Sequence, residues 1–452
     1  MRKLKFSSLE TAVSAVFISF MLLIPLCFPA FYDKGMCYSF VYTMQQKLLL
    51  VFAVASLIIL IFYFINANKY KLSLPDIFIG ILIICGIISV IFAHDTQTAL
   101  WGGNESGEGL IALISYFIIF TLAACFIAED KKIKILFTFM CIGAVYAVYS
   151  LFMQADLTAI KPDGYIFQNL GLYISSSVSV LFGGIAVGFY LHNKNKIIRY
   201  ISLAFSVLFY VSVLYTREPM ALIAFVLIII AALIGEFIFA AITKKSFSIV
   251  KVLALAFLLF AVSYVLNIFS DGYIFKIWTT LGVKASVDYK SGVSLFNYWN
   301  NMLDYFKTKS GKWFTGLGID CVKAKVLTRD SNALFYYKIY NNYLQVLFAE
   351  GYVAFAAYLG FIITVIFTAI KRFIRAIKEN GNTVAMYSAV ILAIVGYCAY
   401  MFCNFTTIDV EPFFWIICGF ACCRYVQKAV PGIHEHEKQL KSIKTKIDDI
   451  NK

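Results

Sequence analysis

Three ionisable residues in this chain have the side chains and surroundings needed for chemistry on a phosphorylated substrate. Arg217 stands in "YTREPM", between two long apolar runs, and Arg329 lies in a polar segment rich in aromatic residues. A guanidinium at such a boundary can make two parallel hydrogen bonds to a phosphate. Glu350 falls within an apolar stretch, where an ionisable side chain is a functional candidate by default. Together they predict anion binding combined with proton transfer; for Arg217 the structural alternative is an arginine that reaches the lipid headgroups.

The polar segment at residues 270–342 supplies further candidates. It combines tyrosines and tryptophans, among them Trp299, with ten basic residues that include Lys338. Aromatic rings stack on sugars and cations bind phosphate, so the segment has the composition of a sugar–phosphate site. The alternative is anchoring at a membrane surface, because Trp and Tyr prefer the headgroup region and Lys attracts anionic lipid. Apolar residues at helical spacing in "VSLFNYWNNMLDYF" predict short amphipathic helices.

Other carboxylates occur in short polar connections or near the ends of apolar runs. Glu105, Glu108, Asp409 and Glu411 have the side chains for acid–base chemistry, but we interpret them as solvated residues at the rim of the molecule. We interpret Glu236 as reaching water from the end of its apolar run. The cysteines and histidines show no spacing typical of a metal site, so neither a metal nor another cofactor is expected.

The composition of the chain predicts the kind of framework that positions these residues. Of 452 residues, 61% are hydrophobic and 14% are charged, compared with about 25% charged in soluble domains. A single water-soluble core could not bury so much apolar surface. A soluble enzyme, a disordered chain and a nucleic-acid-binding module are therefore excluded, and no nucleic acid partner is expected.

Twelve stretches of the sequence are long and apolar enough to cross a bilayer, which takes about 20 residues. They are residues 11–32, 48–66, 76–93, 109–128, 133–153, 169–191, 199–216, 219–242, 247–269, 343–370, 384–405 and 411–427. None alternates with a period of two, so they are not strands of a membrane barrel. The sequence predicts an all-α polytopic membrane protein with about twelve transmembrane helices.

The positions of the basic residues predict the orientation of the chain. If the N-terminus lies in the cytoplasm, 25 of the 39 lysines and arginines fall in cytoplasmic segments. The short outer connections then hold only Lys34, Lys47, Lys161 and Arg217. This asymmetry predicts that both termini are cytoplasmic, and it places His94 as the single histidine on the outer side.

The same topology divides the chain into four parts. We expect transmembrane helices 1–9 over residues 1–269, an extracytoplasmic loop over 270–342, transmembrane helices 10–12 over 343–427, and a charged cytoplasmic tail over 428–452.

The segment "YNNYLQVLFAEGYVAF", residues 340–355, carries a resemblance to a known family. It resembles the signature His-Asn-x-Tyr-Leu-Gln-x-Leu-x-Glu-x-Gly of the O-antigen ligase and Wzy-type polysaccharide polymerase family. The positions that match in register are Asn341, Tyr343, Leu344, Gln345, Leu347 and Gly351. Tyr340 occupies the histidine position and Ala349 the acidic position, with Glu350 one residue later.

Two other segments are similar to family motifs. "YTREPMALIAF" is similar to the Thr-x-Ser-Arg-Gly motif, with Thr216 in the serine place and Arg217 on the arginine. "NYWNNMLDYF" with "GKWFTGLGID" is similar to a Trp followed by a Gly-x-Gly turn, here Trp299 and then Gly316 and Gly318. The resemblance covers roughly residues 94–425.

This resemblance implies a GT-C-like helical bundle whose large loop covers an outward-facing cavity. It implies metal-independent transfer of a glycan from undecaprenyl diphosphate, at the outer face of the bacterial cytoplasmic membrane. The implied partners are an undecaprenyl-diphosphate-linked oligosaccharide and membrane lipid, together with a chain-length regulator and a flippase.

The resemblance and the residue chemistry together assign roles to particular side chains. The candidate catalytic residues are Arg217, which would hold the diphosphate and its developing charge, and Tyr340 and Glu350 beside the acceptor. The candidate substrate-binding residues are Arg329, Asn341, Tyr343, Gln345, Trp299, Lys338 and His94. A neutral tyrosine, with a pKa of about 10, is a poor base, so Tyr340 would hydrogen-bond the diphosphate or the acceptor instead. The base would be Glu350 or His94, or the proton would leave late and need little help from a base.

Three functions stay open at the level of sequence. The family histidine is more characteristic of ligases, so Tyr340 favours a polymerase, in which the acceptor is another lipid-linked repeat unit. A ligase would instead transfer the glycan to lipid, protein or cell wall. A lipid-linked-sugar transporter or flippase is the third hypothesis, because twelve spans is a common transporter count; the long outer loop after span nine and the lack of an internal repeat argue against it.

Overall fold

The part of the chain described by the computed structural model is almost entirely helical. It comprises residues 13–20, 38–66, 72–103, 107–127, 129–157, 165–216, 218–244, 247–269, 295–308, 310–322, 324–327, 333–336, 338–379, 381 and 383–422. The helices are α1 (Tyr38–Asn66), α2 (Leu74–Ile91), α3 (Thr96–Trp101), α4 (Leu110–Phe126), α5 (Glu129–Leu157), α6 (Tyr165–His192), α7 (Lys196–Thr216), α8 (Pro219–Thr243), α9 (Phe247–Phe269), α10 (Leu295–Thr308), α11 (Asn342–Glu350), α12 (Tyr352–Lys378), α13 (Val384–Met401) and α14 (Glu411–Cys422). Residues 13–20 are also helical. The strands β1 (Ala324–Leu327) and β2 (Ala333–Tyr336) pair in antiparallel register.

Nine helices within these described ranges are long and apolar enough to cross a membrane. They are α1, α2, α5, α6, α7, α8, α9, α12 and α13. The chain is therefore a multi-pass α-helical membrane protein, as the composition predicts. Helices α4 and α14 are apolar but have only 17 and 12 residues, and only residues 13–20 of the predicted first span are described. The count of twelve spans and the orientation stay predictions.

Helices α6 and α13 pack closely at the centre of the bundle. A Cβ atom on Gly184 would lie 2.6 Å from the Cα atom of Ala393, and one on Gly188 would lie 2.3 Å from the Cα atom of Ala389. Small residues spaced four apart on both helices allow the two backbones to approach closely. Such close packing stabilises helix pairs inside a membrane, where the hydrophobic effect does not favour association.

Helix α14 is buried on all sides. Every residue from Glu411 to Cys422 is buried, and Trp415 stacks on Phe361 of α12 with ring centroids 4.8 Å apart. Helix α4 packs against the same helix. Because protein surrounds it on every side, α14 can begin with a carboxylate without exposing that charge to lipid.

The predicted span at residues 343–370 is wrong as one continuous helix. The chain forms α11 and α12 there, separated by Gly351, whose φ of 92° lies in a region that glycine adopts readily and other residues rarely do. Glu350, which falls within that predicted span, is therefore the last residue of a nine-residue helix and does not lie within a long apolar helix.

The prediction that Glu236 reaches water is also wrong. Its side chain is fully buried, and its Oε1 lies 3.1 Å from the Nε2 atom of His192. The two residues lie on α8 and α6, so the contact joins two neighbouring helices.

The segment that precedes α11 folds onto the ends of the membrane helices. Helix α10 is amphipathic, as its spacing predicts, and it buries Trp299, Met302 and Phe306 against Leu347 and Phe348 of α11. This apolar contact holds α11 in place beside the bundle, and with it the side chains of the candidate site.

Candidate functional site

A cavity of about 90 Å³ lies where α11 meets α2, α4, α12, α14 and the connections before α4, α11 and α14. Its polar lining residues are Glu108, Asp320, Lys338, Asn342, Gln345, Glu350, Thr406 and Glu411, and its aromatic ones are Tyr116, Tyr358 and Trp415. A buried water needs roughly 10–15 Å³ by the same kind of measure, so the cavity has room for several small polar groups. Carboxylates beside aromatic rings provide hydrogen-bond acceptors and flat apolar surfaces together.

Glu350 contributes a buried carboxyl group to this cavity. The residue is 6% exposed, and its Oε2 atom has no hydrogen-bond partner among the described residues. Because burial disfavours the charged form, the pKa of the Glu350 carboxyl is raised to about 8. The group is neutral in most molecules at neutral pH, and it is a stronger base than an ordinary glutamate once ionised.

The turn at residues 316–318 fixes the end of α11 that carries Glu350. The amide of Leu317 donates to the Phe348 carbonyl oxygen over 2.8 Å, and that of Gly318 donates to Ala349 over 3.1 Å. These bonds satisfy carbonyl groups that have no partner within the helix. Gly316 has a φ of 69°, and a Cβ atom there would lie 2.0 Å from the Ala349 carbonyl oxygen. The Gly-x-Gly spacing thus lets the turn approach the helix end.

Lys338 and Asp320 form an ion pair on the cavity wall. Their side chains are only 6% and 3% exposed, and Asp320 also accepts a hydrogen bond from the amide of Gly103 over 2.5 Å. The Lys338 ammonium lies 5.9 Å from the centre of the Phe405 ring. Among the described lining residues Lys338 is the one cation, and its charge is balanced by Asp320.

A chain of hydrogen bonds joins Glu108 to α11 and α12. Glu108 accepts from the hydroxyl of Thr406 and, over 3.2 Å, from that of Tyr116. Thr406 also lies 3.3 Å from the Asn342 amide oxygen, and the Asn342 amide nitrogen donates to the Tyr358 hydroxyl over 2.9 Å. Burial raises the pKa of Glu108, and the nearby Lys338 charge opposes the shift. The network connects four separate elements around one carboxyl group.

The interpretation of Asp409 and Glu411 as solvated rim residues is wrong. They are 0% and 3% exposed, because the segment that precedes α14 enters the bundle. Glu411 accepts hydrogen bonds from the Tyr397 hydroxyl over 2.9 Å and from the Trp415 ring nitrogen over 3.0 Å. Burial raises the pKa of Asp409 to about 7, and a hydrogen bond from Gln45 opposes the shift. Glu108 is half-buried and hydrogen-bonded, and Glu105 lies outside the described residues.

A further carboxyl group, that of the partly buried Glu218, lies between α7 and α8. It accepts a hydrogen bond from the Tyr400 hydroxyl, and the Asn404 amide nitrogen lies 3.4 Å from it. Burial raises the pKa of Glu218 to about 7, although these hydrogen bonds oppose the shift. Its chain neighbour Arg217 lies outside the described residues, as does Arg329.

Three of the residues assigned roles from the sequence line the cavity together. They are Lys338, Gln345 and Glu350. Gln345 accepts from the amide of Ile339 over 3.3 Å, while its own amide nitrogen is buried without a hydrogen-bond partner among the described residues. An unpartnered donor beside a buried acid is suited to an oxygen-rich ligand.

The other assigned residues that the structure describes do not line this cavity. Asn341 caps α11 by accepting from the Leu344 amide over 3.0 Å, and the Tyr343 hydroxyl donates to the Cys398 carbonyl oxygen over 2.8 Å. The Trp299 ring nitrogen donates to the Ile339 carbonyl oxygen over 2.9 Å. Tyr340 has a φ of 52° and packs edge-on against a neighbouring phenylalanine ring, and His94 is exposed. These contacts position α11 and the connection before it.

Sequence reasoning passed over several polar residues of the site. Asp320 and Asn342 lie in segments that are similar to family motifs, and Thr406 lies in the polar connection that holds Asp409, but the sequence predicts no role for any of the three. The sequence feature that could have indicated Asp320 is its place directly after the Gly-x-Gly turn. Glu218 also has no predicted role, and the feature that could have indicated it is its position between Arg217 and Pro219, the residue that starts α8.

No protein-family model matches the chain, and no curated protein matches its sequence.

Proposed function

We propose that the protein is a membrane-embedded polysaccharide polymerase, which transfers a glycan from undecaprenyl diphosphate to a hydroxyl group of another lipid-linked repeat unit. The observation that carries the proposal is the position of residues 338–350. The segment that resembles the family signature places Gln345 and Glu350 on the wall of one cavity, together with Lys338 from just before that segment, aromatic rings and further carboxyl groups.

The acceptor glycan is proposed to occupy this cavity. Carboxylates such as Glu108 and Glu411 accept hydrogen bonds from sugar hydroxyl groups, and the unpartnered amide of Gln345 donates to a sugar oxygen. The Tyr358 ring, which lines the cavity, supplies apolar surface for one face of a sugar ring. Among the described residues that line the cavity, Lys338 is the one cation, and its charge is balanced by Asp320. The lining therefore suits a neutral, hydroxyl-rich group better than a diphosphate.

The donor diphosphate is proposed to contact Arg217 and Arg329. Both residues lie on the outer side in the predicted topology, and an arginine can hold a phosphate through two hydrogen bonds. The neighbours of Arg217 in the chain, Thr216 and Glu218, lie at the junction of α7 and α8, where Glu218 accepts a hydrogen bond from the Tyr400 hydroxyl.

Glu350 is proposed as the base in the transfer step. The acceptor hydroxyl oxygen forms a bond to the anomeric carbon, while the bond from that carbon to the diphosphate oxygen breaks and its electron pair stays on the leaving diphosphate. The hydroxyl proton passes to the Glu350 carboxylate. A pKa of about 8 lies close to the working pH, which is where a general base is most effective.

The proposed reaction also defines the expected partners. A flippase would supply the lipid-linked repeat unit at the outer face of the bacterial cytoplasmic membrane, and a chain-length regulator would act on the product. Because the donor is a lipid-linked glycan, the proposed reaction uses neither a nucleotide sugar nor a metal ion.

The test is an assay of the purified protein in detergent with one defined lipid-linked repeat unit as its sole substrate. A ladder of longer lipid-linked products supports the polymerase. Product formation that starts only after a lipid, peptide or cell-wall acceptor is added identifies a ligase. If no acceptor is extended, the glycosyltransferase proposal fails.

A proton-coupled transporter is the second candidate, and one observation favours it. Glu108, Glu218, Glu350 and Asp409 are carboxyl groups whose pKa burial raises, and protonatable carboxyl groups inside a helical bundle are typical of proton relays. Uptake of a lipid-linked sugar driven by a pH gradient in proteoliposomes, without glycosidic bond formation, would establish this function instead.

A further inference from the structure

A second cavity lies at the end of α12 farther from Glu350. It has a volume of about 310 Å³ and is formed by the start of α2 and the last turns of α12. Lys371 comes 19 positions after Tyr352 in α12, which places it roughly 28 Å farther along the helix axis. The two cavities therefore lie toward opposite ends of the same helix pair. We call this second cavity the basic groove, and its principal residues are Leu74, Phe367, Lys371, Arg372 and Arg375.

Two cations of the basic groove carry charge that no described carboxylate balances. Lys371 and Arg375 are exposed, and neither forms an ion pair with a described residue. The Lys371 ammonium instead lies 4.3 Å from the centre of the Phe367 ring. The groove therefore presents net positive charge on its open side.

Arg372 is held in place by neighbouring helices. Its Nη1 atom lies 3.7 Å from the Glu129 carboxylate and donates to the Tyr387 hydroxyl over 3.3 Å, and its Nη2 atom donates to the Cys422 carbonyl oxygen over 3.2 Å. These contacts fix the position of the Arg372 side chain on the wall of the groove.

The start of α2 faces the same groove. Ser73 precedes the helix, and its amide and hydroxyl both donate to the Asp76 carboxylate, over 2.8 and 3.0 Å. Asp76 is 4% exposed, and its carboxylate accepts both hydrogen bonds of this capping contact. This cap fixes the start of α2, and with it the position of Leu74 at the groove.

One wall of the basic groove is apolar and exposed. Leu74 is 60% exposed and Phe367 is 57% exposed, and both lie on helices that are apolar enough to cross a membrane. In a membrane such side chains contact acyl chains. A cationic opening beside an apolar wall is complementary to an amphiphile with an anionic head and not to a free ion.

We propose that the basic groove binds the phosphate headgroup of an anionic membrane phospholipid. Lys371 and Arg375 contact the phosphate, and an acyl chain lies along Phe367 and Leu74. Basic pockets between membrane helices are suited to this class of ligand. The site is independent of the proposed transfer reaction, because it lies toward the other end of α12.

The test measures binding of phosphatidylglycerol to the purified full-length protein in an uncharged detergent, by native mass spectrometry. The double variant Lys371→Gln with Arg375→Gln is expected to bind the lipid at least about tenfold more weakly than the unmodified protein. The reason is that each basic residue near an anionic lipid contributes a part of the attraction. The control is Lys378→Gln, which removes an exposed cation from the same helix outside the groove. It is expected to bind like the unmodified protein.

Two further probes separate the lipid from other anions. Phosphatidylcholine, which carries no net charge, is expected to bind at least tenfold more weakly than phosphatidylglycerol, and millimolar inorganic phosphate is expected not to displace the lipid. Equal binding of phosphatidylcholine, displacement by inorganic phosphate, or unchanged binding by the double variant would each overturn the proposal. Thermal unfolding of the double variant without lipid verifies that it is folded.

Discussion

Lys338 and Asp320 form a buried ion pair that ties the connection before α11 to the turn that follows the Gly-x-Gly sequence. The two residues are 18 positions apart in the chain. Each belongs to a segment that contacts α11, Lys338 through its chain connection and Asp320 through the turn at residues 316–318. The pair therefore fixes the part of the cavity wall on which Gln345 and Glu350 lie.

Replacing Lys338 by Met is expected to destabilise the protein strongly. The change leaves the Asp320 carboxylate buried without its partner, and breaking a buried pair in this way costs about 3–5 kcal/mol. Thermal unfolding in detergent measures the effect. The control is Lys307→Met, since Lys307 and Asp304 form an ion pair whose side chains are 67% and 72% exposed, and loss of such a pair has little effect. Equal unfolding temperatures for both variants would contradict the assignment.

Replacing Glu350 by Gln is expected to lower the transfer rate by a factor of roughly 10²–10⁴, the usual contribution of a general base. Gln keeps the size of the side chain but cannot accept the proton. The rate is measured with saturating lipid-linked repeat unit, so that a fall in kcat is distinguished from a rise in KM. The exposed Glu379, changed to Gln, is the control. If Glu350→Gln keeps the full rate, another residue is the base.

The stability of the protein is expected to fall as the pH rises from about 4.5 toward about 8. Burial raises the pKa of Glu350 to about 8 and that of Glu218 to about 7, from an ordinary value of 4.5. The folded protein therefore holds protons that the unfolded chain has already lost, so the stability these carboxyls contribute at low pH is lost as the pH passes through the folded pKa. Unfolding temperatures measured over this range check the slope, and Glu350→Gln is expected to reduce it. A profile that rises with pH would show that these carboxyls are ionised in the fold.

Replacing Gly316 by Ala is expected to disrupt the end of α11. The residue has a positive φ, and the new Cβ atom would lie 2.0 Å from the Ala349 carbonyl oxygen. The backbone strain alone costs about 1–3 kcal/mol, and relieving the clash moves the helix end that carries Glu350. The matched control is Gly311→Ala, because a Cβ atom there meets nothing within 4 Å. The two variants are compared by unfolding temperature and by transfer rate, and a similar outcome for both would exclude the proposed role of the turn.

Replacing Arg217 by Ala is expected to abolish products longer than one repeat unit while the protein still inserts into the membrane. The physical reason is the loss of the guanidinium that is proposed to hold the donor diphosphate. Gel separation of the lipid-linked products measures chain length. Lys47→Ala, which removes an exposed cation from α1, is expected to give normal chains. Normal chain lengths in Arg217→Ala would remove Arg217 from the site.

Most of the membrane architecture could be predicted from the sequence because long apolar runs have few alternatives. A run such as residues 219–242 can satisfy its backbone in a bilayer only as a helix, and α8 extends over Pro219–Thr243. The prediction was wrong at residues 343–370, where apolar composition continues across Gly351 although the helix does not. Hydropathy averaged over about 20 residues does not detect the positive φ of a single glycine, which here separates α11 from α12.

The candidate site was harder to predict, because burial of a polar residue depends on contacts that are distant in the chain. Asp409 and Glu411 lie in a short polar connection that reads as exposed, yet α14 carries them into the bundle. Glu108 and Thr406 are 298 positions apart, and nothing local in either segment indicates that they meet.

The sequence by itself determined that this is a multi-pass helical membrane protein, because its apolar fraction and the lengths of its apolar runs leave no soluble alternative. It also directed attention to residues 338–350. Only the tertiary structure decided that Lys338 is paired with Asp320, that Gln345 and Glu350 share a cavity with Glu108 and Glu411, and that Asn341 and Tyr343 position α11. The reason is physical: hydropathy is a sum along the chain, whereas the charge state and reach of a buried side chain depend on neighbours that folding brings from elsewhere.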